Sequence, residues 1–226
     1  MQDSSPEAGR QIAIGDIHGC ALALAAILEA VSPQAADLIV ALGDYVDRGP
    51  DTAGVIDMLL ALARSCRLVP LLGNHDQMML EVAEGSPIEP WLRFGGAATL
   101  QSYGADAGLT DIPKAHLDFL RDCLPYYETD FHIFVHASYL ADRPLAEQPR
   151  KVLLWESLRE RLPGRHISGK TAICGHTSQK NGEILDLGYL KCIDTYCYGG
   201  GWLTALDLRT GAVWQADCQG RLRTRS

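Results

Sequence analysis

The sequence predicts an α/β fold in which two mixed β-sheets pack as a sandwich flanked by helices. Three observations lead there. Strand-like apolar runs alternate with Ala/Leu-rich helical runs early in the chain, β-type runs dominate its second half, and the early strands each end in a polar cluster. Alternation with short connections favours parallel strands under covering helices, and a β-rich second half supplies a second sheet to pack on the first.

The elements follow in order. "QIAIGD" from Gln11 is a short β-branched run, "CALALAAILEAV" has helical composition, and "LIVALGD" is again strand-like. "TAGVIDMLLALARS" has helical spacing, "RLVPLLGN" returns to a strand, and "HDQMMLEVAEG" opens a third helix. Residues 86–125 hold Pro87, Pro90, Pro113 and the Gly-rich "FGGAATLQSYGADAG", which predicts small helices and loops forming a lid over the sheet. "FHIFVHA", "TAICGHT", "GYLKCIDT" and "LTALDLRTGAVWQAD" are β-type runs, the last with a turn at Thr210-Gly211.

With 226 residues, 47% hydrophobic and 21% charged, the chain suits one globular domain over residues 11–220. A flexible segment, 1–10, is expected before it, and a basic tail, 221–226, with Arg221, Arg223 and Arg225 after it. A net charge of −8 disfavours nucleic-acid or membrane-surface partners. No apolar run approaches the roughly 18 residues that cross a bilayer, and the first residues lack a signal peptide's apolar region, so a cytoplasmic location is expected. The seven cysteines are odd in number and never spaced C-x-x-C, which indicates free thiols rather than disulfides or a thiolate zinc site.

The polar clusters are "GDIHG", "GDYVDRG" and "GNHD" after the early strands, then "VHA" and "CGHT" after two later ones. Carboxyl ends of neighbouring strands converge on one edge of an open α/β sheet, so the five clusters meet. They offer Asp16, His18, Asp44, Asn74, His136 and His176, with Asp47, Arg48, His75 and Asp76 beside them. Imidazole, carboxylate and amide oxygen without thiolate suit Mn, Fe or Zn. Six such ligands exceed the needs of one metal that keeps water, whereas two metals bridged by a carboxylate use them naturally.

The ordered motifs G-D-x-H-G, G-D-x-V-D-R-G, G-N-H-D and two separated histidines resemble the phosphoprotein phosphatase family, within the calcineurin-like metallophosphoesterases. The pattern is most similar to small bacterial serine/threonine phosphatases like that of bacteriophage lambda, with diadenosine tetraphosphatase as a cousin. The resemblance implies two divalent ions, Mn foremost with Fe or Zn as alternatives. It places Asp16 and His18 on the first metal, Asp44 as the bridge, and Asn74, His136 and His176 on the second. His75 is implied as proton donor to the leaving oxygen, Asp47 as the carboxylate orienting it, and Arg48 as a grip on the phosphate. The implied reaction is in-line attack on phosphorus by a hydroxide shared between the metals, with no phosphoenzyme.

The chain departs from the pattern in places. Ser178 in "GHTS" stands where related phosphodiesterases place a second histidine, which favours the phosphatase branch. His136-Ala137-Ser138 replaces the usual H-A-G. A second phosphate-binding arginine, two residues after a tryptophan in lambda-type enzymes, is Ser157 here; Arg159, further along an expected helix, or Arg143 is the candidate replacement. "GRHISGKT", Gly164 to Thr171, fits the Walker A letters, but it leads into a strand, where no helix N-terminus can help cradle phosphate.

Outside the motifs, His116, His132 and His166 read as structural, Met78 and Met79 as packing, and Trp91, Trp155, Trp202 and Trp214 as core or rim. Asp76 reads as a carboxylate serving a helix N-terminus. The expected function is hydrolysis of phosphoserine and phosphothreonine in a phosphoprotein or phosphopeptide. Dinucleoside polyphosphate hydrolysis is the enzymatic alternative, and a catalytically silent phosphoprotein-binding module is the alternative of another class.

Overall fold

The computed structural model describes residues 9–224. Strands β1 (Gln11–Ile14), β2 (Leu38–Ala41) and β3 (Arg67–Pro70) are joined by helices α1 (Ala21–Val31) and α2 (Thr52–Leu62), and both strand pairs are parallel. Helix α3 (Asn74–Ala83) follows β3. A helical stretch comes next: α4 (Ile88–Trp91), a π-turn over Leu92–Gly96, α5 (Ala97–Tyr103) and α6 (Lys114–Arg121). It packs on α2 and α3, on the helical flank of the sheet, and so corrects the expectation of a lid over the sheet.

The chain then builds the second sheet from β4 (Tyr126–Glu128), β5 (His132–Val135), β6 (Thr171–Cys174), β7 (Leu185–Asp186) and β8 (Leu190–Cys192), with α7 (Arg150–Trp155) between β5 and β6. It returns through the hairpin β9 (Leu203–Asp207) and β10 (Val213–Ala216). The strand orders are β10-β9-β1-β2-β3 and β4-β5-β6-β8-β7. Each sheet is mixed: β9 runs antiparallel to β1, and β4 and β7 run antiparallel to β5 and β8. The architecture is the expected sandwich of two mixed sheets flanked by helices.

Side chains alternate across each strand, and both faces of the first sheet are covered. Ala13, Val40, Val69 and Leu206 meet Phe134 and Ile173 of the second sheet between the layers. Ile12, Ile14, Ile39 and Ala41 turn the other way, into a cluster with Leu24, Ile27, Val55, Ile56 and Leu59 of α1 and α2. Double burial is why β1 and β2 read as unbroken apolar runs. The turn expected at Thr210-Gly211 forms, with Gly211 at φ 77° and Thr210 Oγ1 donating to Asp207 Oδ2 at 2.8 Å.

Both chain ends are tied down where they are described. Residues 1–8 and 225–226, with most of the segment expected to be flexible and Arg225, lie outside the described residues. Arg10, assigned to that segment, is anchored. Asp37, 3% exposed, accepts from the Arg10 amide at 2.9 Å, from Arg10 Nε at 3.1 Å and from the Gln34 amide at 2.8 Å. The basic tail is folded back as well: Arg221 pairs with Asp217 at 2.7 Å, and Arg223 donates to the Gly182 carbonyl at 2.8 Å and Gln215 Oε1 at 2.9 Å.

Burial works against ionised Asp37, but Arg10 and the two amides hold its carboxyl below the usual value. Its contribution is therefore present above pH ~4 and lost on acidification through the lowered folded-state pKa. Asp37→Ala should lower unfolding free energy by about 1–3 kcal/mol at pH 7, read as a shifted urea midpoint, with the gap to wild type narrowing in acid.

Candidate metal centre

All five motifs sit on loops leaving the carboxyl ends of parallel strands. Asp16 and His18 follow β1; Asp44, Asp47 and Arg48 follow β2; Asn74 and His75 open α3 after β3; His136 follows β5 and His176 follows β6. Five non-glycine residues here have left-handed backbone: His18 (φ 45°), Asp44 (52°), Asp47 (72°), Arg48 (71°) and His176 (60°); among the described residues only Ser32 and Tyr196 share it. Each such residue costs about 1–2 kcal/mol. Something must hold the loops in place.

Asp76 does so for the β2 loop. Its side chain is 0% exposed, and Oδ2 accepts from the amides of Asp44 (2.8 Å) and Gly73 (2.9 Å), while Oδ1 accepts from those of Tyr45 (2.9 Å) and Val46 (3.3 Å). The Gly73 bond is the helix-terminal role expected from the sequence; the other three make Asp76 a brace between α3 and the loop carrying Asp44. Close approach also requires glycine, since a Cβ on Gly73 would stand 2.1 Å from Asp44 Oδ1.

The imidazoles are fixed by backbone carbonyls, which only accept. His18 Nδ1 donates to the Val46 carbonyl at 2.9 Å, His136 Nδ1 to that of Leu42 at 2.8 Å, and His176 Nε2 to that of Trp155 at 3.2 Å. Burial lowers His18 to about 3 and His176 to about 4, so both rings are neutral at pH 7. Each then presents a lone pair on its other nitrogen, and those lone pairs converge on oxygens. His136 Nε2 faces Asn74 Oδ1 at 3.1 Å and Asp44 Oδ1 at 3.5 Å; His176 Nδ1 faces Asn74 Oδ1 at 2.9 Å; His18 Nε2 faces Asp44 Oδ2 at 3.4 Å.

Acceptors turned toward acceptors are what a cation requires. Donor atoms of Asp44, His136 and His176 lie within 4.8 Å of one another, as do those of His18, Asp44 and His75, so Asp44 is common to both clusters. The carboxylates agree. Burial, with Asp194 and Asp44 nearby, pushes Asp16 well above the usual carboxyl range. Burial opposes ionisation of Asp44 too, but the histidines around it outweigh that and hold its carboxyl well below the range. These residues fit two divalent ions of the borderline kind that take nitrogen and oxygen ligands.

Asp16 stands outside both close clusters. Its carboxylate accepts from the His176 amide at 3.0 and 3.1 Å, which ties the β1 and β6 loops together. His75 occupies the third place beside His18 and Asp44. Its Nδ1 donates to Asp47 Oδ2 at 2.7 Å, leaving Nε2 free at the centre. Such a carboxylate–imidazole pair serves a proton donor, and the same pairing also orients metal ligands.

Arg48 is exposed, and its Nη1 donates to His18 Nε2 at 2.8 Å while its guanidinium lies 4.5 Å over the Tyr198 ring. Tyr198 and Asp194 went unmarked in the sequence reading. Asp194 Oδ2 accepts from Ser178 Oγ at 2.7 Å, so the residue standing in the place of a second histidine buttresses the loop. Helix α7 ends at Trp155 and leaves Arg159 on a turn rather than on the expected helix; its guanidinium donates to the Ser178 carbonyl. Arg143 lies 3.7 Å from Asp142. His116 bonds Tyr103 and Asp57, and His166 bonds Ser168 and the Arg143 carbonyl, both structural roles.

A family model described as calcineurin-like phosphoesterase matches residues 9–180, and the chain belongs to that family. Serine/threonine-protein phosphatase 1 of Salmonella typhimurium is 32% identical over 200 residues, covering 84% of this chain and 88% of that protein. A symmetrical bis(5'-nucleosyl)-tetraphosphatase of Cellvibrio japonicus is 27% identical over 270 residues, covering 92% and 98%. Among solved structures, one described as a candidate diadenosine tetraphosphatase superposes with a TM-score of 0.71 at 24% identity over 93% of this chain and 94% of that one. A cold-active protein tyrosine phosphatase reaches 0.65 at 17% over 96% and 78%. Both structures show the shared fold. Among the described residues, no helix is long and apolar enough to cross a membrane.

Asp44→Asn should abolish activity and the binding of both ions, measured by metal analysis, because it weakens the one group both clusters share. Asp76→Ala should weaken metal binding about 10–100-fold without removing a ligand. Lys170→Ala should leave turnover within about twofold, because the Walker-like loop precedes β6 whereas His176 follows it, about 13 Å of strand away. Lys170 also bonds Glu128 at 3.0 Å.

Proposed function

We propose that the protein is a metal-dependent phosphomonoesterase of the phosphoprotein phosphatase branch, acting on phosphoserine and phosphothreonine in proteins or peptides. The observation that carries this reading is the buried His75–Asp47 pair, with His75 2% and Asp47 0% exposed. A serine or threonine alkoxide is a poor leaving group and needs a proton as the P–O bond breaks, which a positioned acid supplies for about 10²–10⁴-fold. A nucleotide released from a phosphoanhydride leaves as a stabilised anion and gains less from an acid. One relative supports the same reading: the Salmonella phosphatase aligns in 200 positions, whereas the Cellvibrio tetraphosphatase needs 270 to cover 92% of this chain, and so carries additional segments.

Two divalent ions, Mn foremost with Fe and Zn suited to the same donors, would be held by Asp16, His18, Asp44, Asn74, His136 and His176. When bound they supply Lewis acidity toward the phosphate and an activated water. The chain's own groups do the rest. Arg48 offers a guanidinium fork to phosphate oxygens, with Tyr198 beneath it. Arg159 borders the His176 loop as a second phosphate contact. His75 Nε2 gives its proton to the leaving oxygen, and Asp47 keeps Nδ1 protonated and aimed.

A second reading, hydrolysis of dinucleoside polyphosphates, is favoured by the several tetraphosphatases among the relatives. It is also favoured by Trp155, which is 37% exposed beside Gln77, Arg150 and Lys151 and whose backbone carbonyl accepts from His176. Metal-stripped protein reloaded with Mn should turn over a phosphoserine peptide faster than diadenosine tetraphosphate; the reverse order selects the second reading, and no turnover of either, or of an aryl phosphate, selects a silent binding module. His75→Asn should keep both metals and lose about 10²–10⁴-fold on the phosphopeptide, with a smaller loss on 4-nitrophenyl phosphate. Loss of a metal in that variant would make His75 a ligand instead.

A further inference from the structure

The short-helix stretch after α3 reaches the catalytic loop at three points. Trp91 Nε1, at the end of α4, donates to Asp47 Oδ1 at 2.9 Å and to Oδ2 at 3.0 Å. Thr99 Oγ1, in α5, donates to Asp47 Oδ1 at 2.8 Å and accepts from the Asp47 amide, also at 2.8 Å. Between them, the Gly95 carbonyl accepts from the Arg48 amide at 3.2 Å. Trp91 is 1% exposed and Thr99 0%.

The packing leaves this stretch little slack. A Cβ on Gly96 would come within 2.4 Å of the Trp91 ring, and one on Gly95 within 2.8 Å of the Arg48 side chain. Thr52 Oγ1, 3.2 Å from Thr99 Oγ1, ties the same hydroxyl to α2. Asp47 itself has φ 72°, and the two-way bond with Thr99 holds both its backbone and its carboxylate.

We propose that Trp91 and Thr99 are positioning residues that set how well His75 protonates the leaving oxygen, and so make the site selective for esters of poor leaving groups. The inference rests on the phosphomonoesterase reading and adds two residues that touch neither substrate nor metal. An indole N–H is a donor only, and cannot take a proton from Asp47 or give one up. With Thr99 it pins both carboxylate oxygens, so the carboxylate cannot rotate and the His75 ring it holds stays aimed. In the step, the His75 Nε2–H bond breaks and the proton passes to the ester oxygen. That oxygen takes the electron pair of the breaking P–O bond, and His75 is left neutral, its remaining proton on Nδ1 and hydrogen-bonded to Asp47. Angular error at the carboxylate is carried to Nε2, and it matters most where the leaving group is least able to depart unprotonated.

The test uses the Mn-loaded full chain and four esters of rising leaving-group pKa: 2,4-dinitrophenyl, 4-nitrophenyl and phenyl phosphate and a phosphoserine peptide. Trp91→Phe removes the N–H while keeping a ring, and Thr99→Val removes the hydroxyl at constant shape. Each should lower kcat on the phosphopeptide about tenfold or more. KM and metal content should stay near wild type, and the loss should shrink steadily toward 2,4-dinitrophenyl phosphate. Thr99→Ser should recover most of the phosphopeptide rate. Should Trp91→Phe fail to fold, the Thr99→Val and Thr99→Ser pair decides. Equal losses on all four esters, or none, overturn the proposal while leaving the phosphatase reading intact. A wild-type protein inactive on every ester refutes both.

Discussion

The Asp44 carboxylate is the point on which this molecule turns. Its two oxygens face different histidines, His136 on one side and His18 on the other, and those imidazoles have their remaining nitrogens committed to backbone carbonyls. Apart from the Arg48 Nη1–H at His18 Nε2 and the His75 amide at Asp44 Oδ1, lone pairs therefore converge from both sides with no proton between imidazole and carboxylate. In a buried site that arrangement is repulsive unless cations occupy it, and a carboxylate shared between the clusters brings two cations close enough to act on one phosphate. Most of the local architecture serves to hold Asp44 there: the strained backbone at φ 52°, the missing Cβ at Gly73, and the Asp76 brace.

Asp44 and Asp47 lie on one tight loop, yet their surroundings give them different chemistry. Asp44 looks inward to imidazoles without protons to give. Asp47 accepts from three donors, His75, Trp91 and Thr99, and ends as the orienting partner of a single histidine. Arg48, next in the chain, points outward over Tyr198. The left-handed backbone at both Asp47 and Arg48 lets consecutive residues face a buried carboxylate pocket and the open side of the centre. Charge is thus sorted by depth: carboxylates and imidazoles below, the guanidinium at the rim.

The inner strands were legible because double burial forces unbroken apolar runs, and α1, α2 and α3 because their spacing leaves one face for the sheet. The edge strands β4 and β7 were not. They span three and two residues, "YYE" and "LD", too few to show a period. Ligand candidates were legible because metal chemistry restricts residue type and strand ends restrict position. Their supports are another matter. Asp76 carried a visible helix-start signal that explains one of its four bonds, while Trp91 and Thr99 reach Asp47 from 44 and 52 residues away, a distance over which composition carries no register. The contacts of Arg221 and Arg223 were hidden for the same reason, since their partners, Asp217 apart, are Gly182, Glu183 and Gln215.

Whether Asp44 is the shared ligand of a two-cation centre is answered most directly by anomalous diffraction from crystals grown with Mn. The account predicts two peaks roughly 3.5–4 Å apart, with one Asp44 oxygen or the whole carboxylate bridging them, Asn74, His136 and His176 on one peak and His18 on the other. A single peak, or two peaks with Asp44 bound to neither, would contradict it.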